Sequence, residues 1–113
     1  MVAHVNYRCF DKEEIPASVS KNVLNYLCKN LKYKGLIISD DMEMGAIAGY
    51  NKLNTVIEML KNGVNCFIYR NCNNEIYTLM QEIYKSAKND NNLENAIERS
   101  YYKILNLKKE FLL

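Results

Sequence analysis

Residues Lys34 to Ile47 read KGLIISDDMEMGAI, an apolar run that passes without a break into three carboxylates. Leu36, Ile37 and Ile38 are apolar at consecutive positions instead of alternating, the pattern of a strand buried on both faces. Such strands belong to parallel sheets, and the run predicts one over Gly35 to Ser39. Asp40, Asp41 and Glu43 then stand at its carboxyl end, where parallel α/β folds place their active sites. Holding carboxylates there is costly unless partners or a function compensate. Two readings follow for the aspartate pair. Either it carries chemistry, or Asp40 or Asp41 caps a short helix beginning near Met42.

Two more short apolar runs flank this one, Met1 to Val5 and Val64 to Tyr69, both rich in the β-branched or aromatic residues of strands. Helical spacing separates and follows them. Val23, Leu24, Leu27, Cys28 and Leu31 line one face of a helix over Ser20 to Lys32, with serines to cap its start. Leu53, Val56, Ile57 and Leu60 mark a second over Lys52 to Lys61, stopped by Asn62-Gly63. A third is predicted over Asn73 to Lys88 and a fourth over Asn92 to Phe111. The asparagine-rich runs 71–74 and 89–92 fall between these patterns, where turns are expected. The order β-α-β-α-β-α-α implies right-handed crossovers onto a parallel sheet with helices outside.

Three doubly buried strands cannot close a barrel, and they leave two edges open to self-association. A (β/α)8 barrel takes about 250 residues, and this chain has 113. The expected fold class is therefore α/β, a partial (β/α)8 TIM-type barrel made of about the last three strands with their outer helices. No repeat, linker or block of like charge divides residues 1–113, so one unit is expected.

Composition narrows the partners. The chain is 49% hydrophobic and 25% charged, with fifteen Lys and Arg against thirteen Asp and Glu, a net charge of +2. That excess is far too small and dispersed for a phosphate-backbone binder, so nucleic acid is not expected. No apolar run approaches a membrane span, and MVAHVNYRCF has neither the charged start nor the long apolar segment of a signal peptide. Cys9, Cys28, Cys66 and Cys72 form no C-x-x-C pair and read as free buried thiols in a reducing compartment, which points to the cytoplasm.

The segment Lys34 to Ile47 also resembles the nucleophile segment of family 3 glycoside hydrolases, in the β-N-acetylhexosaminidase branch. Upstream, Met1-Val2-Ala3-His4-Val5 resembles the family's M-[TS]-A-H-[VI] strand, and Ile15 to Ser20 its P-A-[ST]-[LV]-S start of a helix. Downstream, Asn62-Gly63-Val64-Asn65 resembles the A-G-A-D before the last barrel strand, and Ala96 to Leu105 the final helix of the catalytic domain. β-Glucosidase members usually carry Asp-Trp after the nucleophile. Here Asp41-Met42 stands in that place in a chain without tryptophan.

The resemblance implies a retaining glycosidase in which an aspartate attacks the anomeric carbon and water later hydrolyses the glycosyl-enzyme. The family motif puts the nucleophile on the first aspartate, Asp40, and leaves Asp41 to support the backbone and Glu43 at the surface or behind the site. His4, at the end of the first strand, and Met44 are the candidate substrate-binding residues. Each has a bland alternative, a structural hydrogen bond for His4 and core filling beside Met42 for Met44. The implied partner is a carbohydrate, a terminal N-acetyl-β-glucosaminide such as a peptidoglycan-derived fragment, with no cofactor and no metal. A Mg2+ site at the acidic strand end is the competing reading, and it suffers because the other strand ends offer His4 and Arg70-Asn71 instead of carboxylates. The family's acid/base histidine loop, beside a K-H-F-P-G-H-G-D-type motif, has no counterpart in these residues, and Arg8 stands where the family often has proline. Residues 1–113 are thus expected to be the C-terminal portion of a catalytic barrel domain, inactive alone.

Overall fold

The computed structural model describes residues 1–112. Its elements are α1 (Lys21–Asn25), β1 (Ile38–Asp41), α2 (Lys52–Lys61), β2 (Cys66–Ile68), α3 (Asn74–Ala87) and α4 (Asn91–Leu112), with a π-helical turn over Tyr26–Asn30 and a 3-10 turn over Gly45–Ile47. β1 and β2 pair in parallel, as the alternation of strands and helices requires, and α2, α3 and α4 pack against one another. The fold class is α/β.

Local signals account for the helix ends. The Asn51 side chain accepts the Asn54 N–H at 2.9 Å to start α2. Asn62 closes the helix, and Gly63 follows with φ 105°, a conformation that strains any side chain. Asn73 caps α3 through the Glu75 and Ile76 N–H groups, and Asp90 accepts the Asn92 and Leu93 N–H groups to start α4. The asparagine-rich runs therefore act as helix starts.

The core lies between the sheet and these helices. Leu24, Ile37, Met59, Val64 and Leu93 are buried to 2% exposure or less, and each such side chain stabilises the fold by roughly 1.5–3 kcal/mol. α3 contributes Leu79 and Ala87 and α2 adds Val56 and Leu60 to the same cluster.

Four expectations are corrected. The strand over Met1 to Val5 shrinks to one parallel bridge, Val2 with Ser39, held by Val2 N–H to Ile38 O (2.8 Å) and Asp40 N–H to Val2 O (3.1 Å). Past Ala3 the chain leaves the sheet, because the His4 ring turns inward and Asn6 pairs antiparallel with Pro16. The helix over Ser20 to Lys32 is α-helical for five residues and then widens. Ser20 does cap it, accepting the Val23 N–H at 3.1 Å, but Leu31 N–H reaches Tyr26 O, five residues back, and Leu31 swings out to 60% exposure. Lys32, at φ 51°, ends the turn.

The central strand starts three residues later than predicted and runs into the acidic pair. The Leu36 carbonyl is taken by the Tyr33 hydroxyl (3.2 Å), so pairing with the second strand begins only where Ile37 O receives the Asn65 and Cys66 N–H groups. Nor is the strand buried on both faces. Ile37 and Ser39 are buried beneath the helices, whereas Leu36, Ile38 and Asp40, on the alternate face, are half-buried. Lastly, the four cysteines are free but not buried: Cys9 and Cys72 are exposed and Cys28 and Cys66 half-buried.

Candidate active site

The β1–β2 ladder slips between Ile38 and Asp41, and the slip shapes the acidic turn. Ser39, fully buried, fills the gap in the ladder: its Oγ accepts the Ile68 N–H at 3.1 Å. Met42 N–H then returns to Ile68 O at 2.8 Å, so the backbone on both sides of Asp40-Asp41 is held by β2.

The two aspartates differ sharply in their partners. Asp41 is engaged at both carboxylate oxygens, Oδ1 accepting the Glu43 N–H at 3.0 Å and Oδ2 lying 3.6 Å from Arg70 Nε. Its backbone carbonyl accepts from Met44 N–H (3.1 Å) and from His4 Nε2 (3.0 Å). Asp40 accepts the Asp41 N–H at Oδ1 (2.8 Å) and takes part in no ion pair among the described residues. Neither aspartate caps the short helical turn. That turn begins at Gly45, three residues beyond Met42, and Met44 at its start makes no side-chain cap bond.

His4 is 8% exposed with both ring nitrogens occupied, Nδ1 by Ser18 Oγ and Nε2 by the Asp41 carbonyl, so it braces the acidic turn from the side of the first strand. Met42 is buried in the core and Met44 is exposed, so the two methionines separate into a packing residue and a surface one.

From the opposite side the exit of β2 grips the same turn. Glu43 accepts from the Asn71 backbone N–H (2.8 Å) and from its side-chain amide (3.1 and 3.2 Å). These bonds hold the Glu43 carboxyl below its ordinary range, the Asn71 side chain contributing most, against the opposing effects of desolvation and the Asp41 charge. Tyr69, at the same exit, has its phenol pushed up chiefly by burial and secondarily by Glu43. Behind the turn is a cavity of about 280 Å³ lined by Met42, Glu43, Ile47, Lys52, Tyr69 and Ile76 among others. A wider one of about 670 Å³ lies between the starts of α2 and α3. Neither is lined by Asp40, His4 or Met44.

His4, Asp40-Asp41 and Arg70-Asn71 therefore meet at one end of the sheet. The contacts of Asp41 with Arg70 and of Glu43 with Asn71 span about 28 residues of sequence, and only the pairing of β1 with β2 joins them. Among the described residues no group of three or more His, Cys, Asp or Glu is arranged to hold a metal, and no helix is long and apolar enough to cross a membrane.

The chain superposes on several solved structures. CbsA from Thermotoga neapolitana is 27% identical, with a TM-score of 0.77 over 93% of this chain and 23% of that one. The β-N-acetylglucosaminidase from Thermotoga maritima gives 23% identity and a TM-score of 0.77 over 92% of this chain and 23% of that one. A glycoside hydrolase family 3 β-N-acetylglucosaminidase from Paenibacillus sp. str. FPU-7 gives 21% and 0.77 over 90% and 20%. This chain thus spans less than a quarter of the length of each. No curated protein matches it. The model of the family described as "Glycosyl hydrolase family 3 N terminal domain" matches residues 1–107. With nearly its whole length under that match, the chain belongs to glycosyl hydrolase family 3.

Proposed function

We propose that this chain supplies the nucleophile of a retaining glycosidase acting on terminal N-acetyl-β-glucosaminides, as the C-terminal portion of a family 3 (β/α)8 barrel. The observation that carries the reading is the contrast between the aspartates. Asp41 has both oxygens committed to the turn, whereas Asp40 stands ion-pair-free at a strand end with one oxygen engaged by its neighbour's N–H.

In the reaction an Asp40 oxygen attacks the anomeric carbon as the glycosidic C–O bond breaks, and the departing oxygen takes a proton from an acid outside these residues. Water, deprotonated by the same group, then cleaves the glycosyl–Asp40 ester and restores the carboxylate. The Asp41 N–H at Asp40 Oδ1 fixes one oxygen of the carboxylate and leaves the other for attack. Met44, exposed beside the acidic turn, is placed to touch the sugar, and His4, with both ring nitrogens engaged, serves the site by bracing the Asp41 carbonyl. Peptidoglycan-derived saccharides are the substrate class the branch suggests, and the free cysteines are in keeping with a cytoplasmic protein.

Exposed area supports the barrel-portion reading. The described structure exposes 8002 Å², against about 6400 Å² for a folded monomer of this mass. The excess, about 1600 Å², is about twice the area one partner buries in a standard protein–protein interface. A second reading is favoured by one feature, the outer edge of β2. Cys66 and Ile68 turn toward β1, so by alternation the Phe67 N–H and C=O face away from it, an edge to which a second copy of the chain could add.

Mixing the purified chain with a separately expressed N-terminal portion of a family 3 barrel separates the two. Hydrolysis of a nitrophenyl N-acetyl-β-glucosaminide that appears only in the mixture, and is lost with Asp40→Ala, is the expected result. A stable oligomer of the chain with no hydrolysis in any mixture would favour the self-associating form. Turnover by the chain alone, abolished by Asp40→Ala, would overturn the claim that it is inactive by itself.

A further inference from the structure

Two residues at the exit of β2 do something the proposed chemistry does not by itself require. Arg70 faces Asp41, and Asn71 presents two donors, its backbone N–H and its side-chain amide, to the single carboxylate of Glu43. Glu43 is in turn the residue whose own N–H is held by Asp41 Oδ1. Asp41 is the residue whose N–H is held by Asp40 Oδ1. The contacts thus form one chain of hydrogen bonds, Asn71 to Glu43, Glu43 to Asp41, Asp41 to Asp40. It starts at β2 and ends on the carboxylate that would react.

We propose that Asn71 is a positioning residue for Asp40, latching the turn 41–44 to the end of β2 through Glu43 and so fixing where the Asp40 carboxylate points. The inference rests on the reading of Asp40 as nucleophile and deepens it. The rest of the turn is arranged to need such a latch. Residues 42–44 lie outside regular structure, and their other backbone ties are single bonds, Met42 N–H to Ile68 O, Met44 N–H to Asp41 O and Ile47 N–H to Met44 O. His4 holds the turn only at the Asp41 carbonyl, from the other side. Without Asn71 the Glu43 side chain keeps only a minor backbone contact from Arg70. A carboxylate two residues beyond Asp41 would then be free to swing while repelling it. The titratable groups around Glu43 are Asp41 on its own turn, Tyr69 at the exit of β2, and Lys52 and Glu75 across the cavity they line together, while Arg70 reaches it through its backbone; the latch is worth most while Glu43 is ionised.

The test needs only the 15N-labelled chain and no turnover. In the native chain the Asn71 backbone amide resonance should move with pH as Glu43 titrates, with a midpoint below that of an ordinary glutamate. Asn71→Ala removes the side-chain amide but keeps the backbone donor. It should speed hydrogen exchange at the Glu43 and Met44 amides by about fivefold and shift the Asp41 amide, which reports the direction of Asp40, while leaving Cys66 unchanged. Asn71→Asp should loosen the turn further at neutral pH by charge repulsion and restore the native protection factors, taken against the unstructured rate at the same pH, in acid, once a shared proton re-forms the contact. A merely structural asparagine would show no such rescue. If the Asp41, Glu43 and Met44 amides in both variants match the native chain, the latch does not exist. If Glu43 and Met44 loosen but the Asp41 amide stays put, Asn71 does not position Asp40. Failure of the nucleophile reading appears elsewhere, as hydrolysis that survives Asp40→Ala in the complemented mixture, and leaves these exchange results unaffected.

Discussion

Two asparagines, one at each end of β2, tie it to neighbouring structure, and they do so in opposite ways. Asn65, at the amino end, exchanges a pair of bonds with one backbone unit, its N–H to Ile37 O (2.8 Å) and its Oδ1 to Ile37 N–H (2.9 Å), while its Nδ2 reaches Ser100 Oγ on α4 (3.0 Å). Every group there is neutral, and Ile37 and Ser100 are buried. Asn71, past the carboxyl end, is exposed and grips a carboxylate beside two more. One end joins sheet to helix, and the other holds an acidic turn in place. The comparison fits the general division of β/α barrels into a stabilising amino face and a chemical carboxyl face.

The division can be tested by substitution. Asn65→Ala should have the largest effect on stability. It strips a partner from the Ile37 N–H and from Ser100 and should cost about 2–3 kcal/mol, read as a lower urea midpoint that is unchanged between pH 5 and 8. An equal loss from Asn71→Ala would erase the contrast.

A smaller effect, dependent on pH, is expected at the turn between α3 and α4. There Lys61 Nζ lies 2.8 Å from Asp90 Oδ2, and this partner holds the Asp90 carboxyl below its usual range. A carboxylate with a depressed folded value stabilises the fold above its unfolded value and ceases to do so as pH falls through the folded one. The acid limb of the stability curve should therefore flatten in Asp90→Asn, which keeps a side-chain oxygen for the α4 cap and removes the charge. An unchanged acid limb would show that the pair contributes nothing to folding. The smallest global effect belongs to Asn71→Ala. Its exposed bonds should leave the urea midpoint where it was, even as the turn loosens locally.

The same contrast explains what could be read from sequence. α2 occupies Lys52 to Lys61 as its periodicity predicts, because Asn51 and Asn62-Gly63 mark both ends with local chemistry. The acidic cluster was equally legible, since three carboxylates directly after an apolar run are a local pattern. The fate of Met1 to Val5 was not, because the inward turn of His4 depends on Ser18 and on the Asp41 carbonyl, 14 and 37 residues away. Apolar spacing could not announce the widened turn after Asn25, since Val23, Leu24, Leu27 and Cys28 fit a regular helix and only Leu31, carried out to 60% exposure by the five-residue bond, departs from it. Arg70 and Asn71 were visible as a strand exit. Their grip on Asp41 and Glu43 depends on the slipped register of β1 against β2, which no single segment encodes.

The central claim is that Asp40, and not the ion-paired Asp41, attacks the sugar. The most direct measurement is covalent capture in the complemented mixture with a fluorinated N-acetylglucosaminyl fluoride, whose leaving group needs no protonation and whose ester hydrolyses slowly. Peptide mass spectrometry should find one glycosyl group per chain on Asp40, and none in Asp40→Ala. A label on Asp41, or turnover of the reagent with no label between residues 35 and 52, would contradict the account.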